Sequence, residues 1–124
     1  MRTTTFPVAG FVLALVTGAA TAGALPTQVG HCTTTTIEEI TSRLEGVPGS
    51  GDVVIYANGG YGVSYDIVPG LSSARLGDSV KLCLTFIPEE CPPGDDRGRF
   101  YRATNLRNDE SWELPDSQHM CGGA

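Results

Sequence analysis

Asp116, Ser117 and His119 stand close together near the C-terminus and are the three residue types of a hydrolytic triad. In such a triad a base takes the proton of a hydroxyl nucleophile while a carboxylate orients the base. The spacing works against that use. Near-adjacent positions in a tail that follows Pro115 cannot easily set nucleophile, base and carboxylate in series, and no Gly-x-Ser-x-Gly elbow occurs in the chain. Asp116 and Ser117 suit turn hydrogen bonds instead, in a tail that Cys121 can staple down.

A second group with chemical capacity is the loop from Pro88 to Gly98, which holds Glu89, Glu90, Asp95 and Asp96 among three prolines and two glycines. Carboxylate oxygens suit a hard cation such as calcium, but the spacing is not that of an EF-hand loop. Nor does anything mark two of these carboxylates as an acid and base for glycosidic cleavage. Turn capping by Asp95 and Asp96, or pairing with Arg97 and Arg99, accounts for them more simply. No metal, cofactor or catalytic residue is assigned.

Cations are concentrated just beyond that loop. Arg97, Arg99, Arg102 and Arg107 fall within eleven residues, with Tyr101 and Trp112 nearby. Arginine and aromatic side chains together make interface hot spots, so Asp95, Asp96, Arg97, Arg99, Tyr101, Arg102, Arg107 and Trp112 form a candidate binding set. The competing reading has the arginines neutralising the acidic loop while Trp112 fills the core. Tyr56, Tyr61 and Tyr65 need no ligand to explain them.

The elements that must position these residues read mainly as strands. Tyr61, Val63, Tyr65 and Ile67 alternate with small or polar residues, the period of a strand with one buried face. Asp52 to Ala57 precedes them, and Asn58-Gly59-Gly60 offers positive-φ residues for a tight hairpin turn. After Gly77-Asp78, Val80, Leu82, Leu84 and Phe86 should face one way, and Lys81, Cys83, Thr85 and Ile87 the other. Phe100 to Leu106 and Ser111 to Leu114 form a last hairpin around Arg107-Asn108-Asp109-Glu110. Pro69 to Leu76 has room for one helical turn.

The segment Thr33 to Leu44 carries two signals. Thr36-x-x-Glu39 is a capping box with Ile37, Ile40 and Leu44 on one helical face, whereas the run Thr33 to Thr36 suits a strand. A long strand, bulged or not, is preferred. Five to six short strands then imply a small antiparallel barrel or sandwich, OB-like or SH3-like, stapled by disulfides.

Arg2, the apolar stretch Phe6 to Val16 and the small residues Gly18 to Ala24 have the layout of a secretory signal peptide over residues 1–24, leaving residues 25–124 as one small domain. Ala20-Thr21-Ala22 and Ala22-Gly23-Ala24 are both small-x-small cleavage sites, and the second is preferred because Leu25-Pro26 then opens the mature chain. The apolar stretch falls short of the roughly 20 residues a membrane-spanning helix needs, so no membrane insertion is expected. His31 directly before Cys32 does not suit lipoprotein processing. A periplasmic or secreted location follows, and there Cys32, Cys83, Cys91 and Cys121 can pair. Three pairings are open. Cys32 with Cys83 and Cys91 with Cys121 are favoured because Cys83 lies mid-strand and the tail must return to the body, while Cys83 with Cys91 closes the shortest loop. Without Arg2, the 14 acidic residues still far outnumber the basic ones, which argues against nucleic acid as a partner.

The order Gly77-Asp78-x-Val80-x-x-Cys83-Leu84, Cys91-Pro-Pro-Gly-Asp-Asp-Arg-Gly98 and Trp112-x-Leu-Pro-Asp-Ser-Gln-His-x-Cys121-Gly-Gly-Ala124 resembles a group of small, predicted exported bacterial proteins of unknown function. That resemblance implies a bacterial, non-cytoplasmic setting and brings no activity with it. The expected function is an exported, noncatalytic binding module for an envelope component or extracellular protein, in the manner of small periplasmic inhibitors. A structural or stress-related envelope protein is the alternative, and an exported hydrolase the second alternative. A filled barrel should offer a flat or grooved face, whereas an enzyme should have a pocket with convergent polar groups.

Overall fold

The β-branched run after Cys32 does form a strand, and the rest of the fold is hung on it. In the computed structural model, which describes residues 23–123 with Thr5, Pro7 and Gly10, strand β1 spans Cys32–Ser42. Most of the signal-peptide reading falls outside the described residues. Then follow β2 (Asp52–Tyr56), β3 (Tyr61–Val63), the single turn α1 (Pro69–Ser72), β4 (Ser79–Phe86), β5 (Phe100–Asn105) and β6 (Ser111–Pro115). All neighbours pair antiparallel in one sheet of order β3-β2-β1-β4-β5-β6.

β1 serves both halves of the sheet because it is bulged. Cys32 to Thr36 pair with β4, and beyond the irregularity between Ile37 and Glu39 the strand continues along β2 to Ser42↔Asp52. A bulge adds local twist, which curls the sheet. The two edge strands are thereby brought together: a Cβ on Gly62 of β3 would lie 3.2 Å from Leu114 of β6. No ladder joins them, so the barrel stays open there. Helix α1 packs beside the gap, and its Gly70 sits so close to the Trp112 ring that a Cβ would come within 2.7 Å.

Val80, Leu82 and Leu84 of β4 meet Ile37, Val54 and Trp112 in the enclosed core. Trp112 Nε1 donates to the Tyr56 hydroxyl at 2.8 Å, satisfying the one polar group each ring carries into the interior. Burial pushes the Tyr56 phenol up to about 12, against the opposing effect of that hydrogen bond. The disulfides are Cys32–Cys83, between register partners on β1 and β4, and Cys91–Cys121, between the acidic loop and the tail.

Two expected strands end differently. Phe86 does not join Val80, Leu82 and Leu84 in the core: the register shifts between Leu84 and Phe86, and a one-residue bulge turns Phe86 outward, 44% exposed. β3 stops at Val63 rather than running to Ile67. Ser64 still exchanges backbone bonds with Asp52, but its Oγ accepts Asp66 N at 3.0 Å while Asp52 Oδ2 accepts Val68 N at 2.7 Å, and these bonds bend the chain away. Tyr65 and Ile67 are consequently exposed. No helix among the described residues is long and apolar enough to cross a membrane.

Candidate functional site

The antiparallel register of β4, β5 and β6 fixes which side chains share the outer surface. Cys83, Arg102 and Glu113 are partners in one row across the three strands, and Phe86, Phe100 and Pro115 in the next. The bulge that expels Phe86 sets its ring edge-to-face with Phe100, 5.7 Å between centroids at 79°. Met120 crosses from the tail over Gly98, where a Cβ would approach its sulfur to 2.7 Å and where φ is +98°. These residues bound an open cleft of about 450 Å³ lined by Phe86, Phe100, Met120 and Glu113. The Thr85 hydroxyl lies 2.8 Å from Glu113 Oε1 and 3.1 Å from the Phe100 carbonyl, and its single proton serves one of them at a time.

The arginines around this face are used unequally. Arg97 makes a two-pronged pair with Asp95, both contacts 2.9 Å, and Asp95 Oδ2 also accepts Gly122 N at 3.0 Å. Together with Cys121 N donating to Arg97 O, this clamps the tail beside the Cys91–Cys121 disulfide. The Arg97 guanidinium, then the Gly122 amide, hold the Asp95 carboxyl well below its usual range. At the opposite end of the hairpin, Arg107 Nε donates to Asp78 Oδ1 at 2.9 Å, and Asn105 Nδ2 and Arg75 N donate to Oδ2. Those bonds, Arg107 first, hold Asp78 far below the ordinary carboxylate range. Arg99 is half-buried, with its Nε unpartnered among the described residues. Arg102 is exposed, and among the described residues its side chain makes a single hydrogen bond, to Ser111 Oγ at 3.4 Å. Asp96 is exposed.

No protein-family model matches this chain, and no curated protein or solved structure matches it. The site is therefore read from its own geometry.

Of the residues the sequence singles out, Arg102 and half-buried Arg99 flank the cleft in sequence and register, and Asp95 and Arg97 lie in the loop next to it. Arg107 sits at the far end, locked to Asp78. Tyr101 and Trp112 do not belong to the outer face: they alternate inward and are 7% and 6% exposed, so they support the surface from beneath. Phe86, Phe100 and Met120 carry no such signal in the sequence as a group. Strand alternation carries a signal for Phe100, which must share a face with Arg102 once Tyr101 and Ala103 are inside. Nothing comparable announces the bulge at Phe86.

Asp116, Ser117 and His119 are not brought together as a triad. The Asp116 carboxylate accepts Gly98 N at 2.8 Å and Arg99 N at 3.1 Å, and Ser117 Oγ accepts His119 N at 3.2 Å in a local turn. Burial raises the Asp116 pKa in spite of those two amides. No group of three His, Cys, Asp or Glu among the described residues could hold a metal ion.

Proposed function

We propose that this chain is an exported, noncatalytic binding module that docks a protein of the envelope or the medium on the outer face of β4, β5 and β6, in the manner of a small inhibitor. The observation that carries the reading is the open cleft of Phe86, Phe100 and Met120 beside Arg102, whose guanidinium is almost unused within the fold. Aromatic, Met and Arg side chains are the types enriched at protein interfaces. A partner segment that places an apolar side chain in the cleft and a carboxylate against Arg102 fits this chemistry, because a guanidinium fork pairs with a carboxylate through two parallel bonds. Two disulfides suit an oxidising periplasmic or extracellular compartment.

The test is affinity capture from envelope and culture-supernatant fractions with the oxidised domain, alongside a Phe86→Ser/Arg102→Ala double variant. Both positions are exposed, so the variant should fold. A partner held by the wild type and bound at least tenfold more weakly by the variant supports the assignment. Equal retention by both, or no specific retention by the wild type, overturns it.

A further inference from the structure

We propose that the signal peptide is removed by hydrolysis of the Ala22–Gly23 bond, so that the mature chain starts at Gly23 and its new α-amino group is a hydrogen-bond donor to the sheet. The proposal rests on reading the first 22 residues as an export leader. Two small-x-small sites, ending at Ala22 and at Ala24, both suit a signal peptidase, and the sequence alone favours the second because Leu25-Pro26 then opens the mature chain. The fold separates them.

Gly23 is built into the domain. Its nitrogen donates to the Thr34 carbonyl of β1 at 3.0 Å, and its carbonyl accepts Asn58 Nδ2 at 2.9 Å. The same Asn58 holds the β2–β3 turn by accepting Gly60 N through Oδ1 at 3.0 Å. A Cβ at position 23 would meet the Thr33 hydroxyl, which would have to rotate to make room, so glycine sits there without displacing its neighbour. Immediately beyond, Leu25 packs against the core and Pro26 is buried. Cleavage after Ala24 would discard both Gly23 bonds, leaving the Thr34 carbonyl and the Asn58 amide to find water.

Cleavage after Ala22 keeps both bonds. Water adds across the peptide bond: the Ala22 carbonyl carbon leaves with the leader as a carboxylate, and the Gly23 nitrogen, protonated, becomes an ammonium. Of its three N–H groups one still reaches Thr34 O, now as a charge-assisted donor, and the others face solvent.

The experiment is to express the full chain in an export-competent bacterium and determine the N-terminus of the exported protein by Edman sequencing and intact mass. A Gly23 start is expected. A Leu25 start, or any other internal start, overturns this proposal and leaves the export reading standing; a product that retains Met1 overturns both. As an independent check, domains starting at Gly23 and at Leu25 are released from a cleavable fusion and melted. Loss of two hydrogen bonds should lower the Tm of the shorter form by about 5 to 10 °C. Asn58→Ala should cost more in the longer form than in the shorter one, since only the longer has the Gly23 carbonyl to lose. Equal Tm values, or equal costs of Asn58→Ala, overturn the structural role of Gly23.

Discussion

The β5–β6 hairpin has two faces that differ in almost everything except their sequence neighbours. Inward, Tyr101, Ala103, Trp112 and Leu114 are buried against β2 and β4. Outward, one residue away in each case, Phe100, Arg102 and Glu113 stand in the face that forms the cleft. Side-chain chemistry does not separate the two sets, because both contain aromatic rings. Strand parity does, and a polar handle that finds its partner inside, such as Trp112 Nε1 on the Tyr56 hydroxyl, marks the ring the fold keeps for itself.

The comparison is broken most forcefully from the inside. Trp112→Ala should cost about 3 to 5 kcal/mol in chemical denaturation, from the cavity left by the indole and the unpaired Tyr56 hydroxyl. Next comes the staple that holds the tail, and with it Met120, over the outer face. Replacing Cys91 and Cys121 by serine opens a link of sequence separation 30 and should remove about 3 to 4 kcal/mol in the chain-entropy account. Because Met120 lies one residue from Cys121, this change should also weaken partner capture, whereas Trp112→Ala in conditions where the domain stays folded should leave the cleft residues in place.

Acid sharpens the contrast at the Asp78 end of the hairpin. Asp78 has a folded pKa below its unfolded one, so its contribution to stability is present above the ordinary carboxylate pKa of about 4 and is lost as pH falls below it. Asp95 acts in the same direction. Asp116, with its pKa raised by burial, has the opposite sign: its contribution is present below the unfolded pKa and is lost as pH rises through the higher folded value. Denaturation midpoints measured from pH 7 down to pH 2 should therefore show a gap between wild type and Asp78→Asn that narrows once pH drops below about 4. A gap that stays constant would mean that the Asp78 carboxylate is not what Arg107 and Asn105 stabilise.

How much of this was readable beforehand depends on whether the deciding contact is local. The strand period of Val80, Leu82 and Leu84 follows from a pattern within a few residues, the length of the stretch after Pro69 limits it to the single helical turn found there, and the cysteine pairing favoured among three is the one formed. The Phe86 bulge was not legible, because two residues opposing one is a property of the β4–β5 pair and leaves Val80 to Phe86 alternating perfectly as a sequence. The same holds for the early end of β3, set by the Asp52 carboxylate reaching Val68 across sixteen positions. For the site, the arginine cluster was visible as a cluster, but its division of labour was not: Asp78, the residue that occupies Arg107, lies 29 positions away.

That division is the smallest effect to measure. Arg102 and Arg107 are equal in formal charge and lie in the same hairpin, yet Arg102 has one long contact to Ser111 while Arg107 bridges Asp78 and the Ser73 carbonyl. Arg102→Ala should change stability by no more than about 0.5 kcal/mol, as for an exposed side chain without a committed partner. Arg107→Ala should be plainly more destabilising at pH 7, because it strips the carboxylate of Asp78 of its main partner in a buried position. Partner capture should order the two variants the other way round, with Arg102→Ala the weaker binder. Equal stability losses would place the two arginines in the same role and remove the reason for treating the outer face as surplus to the fold.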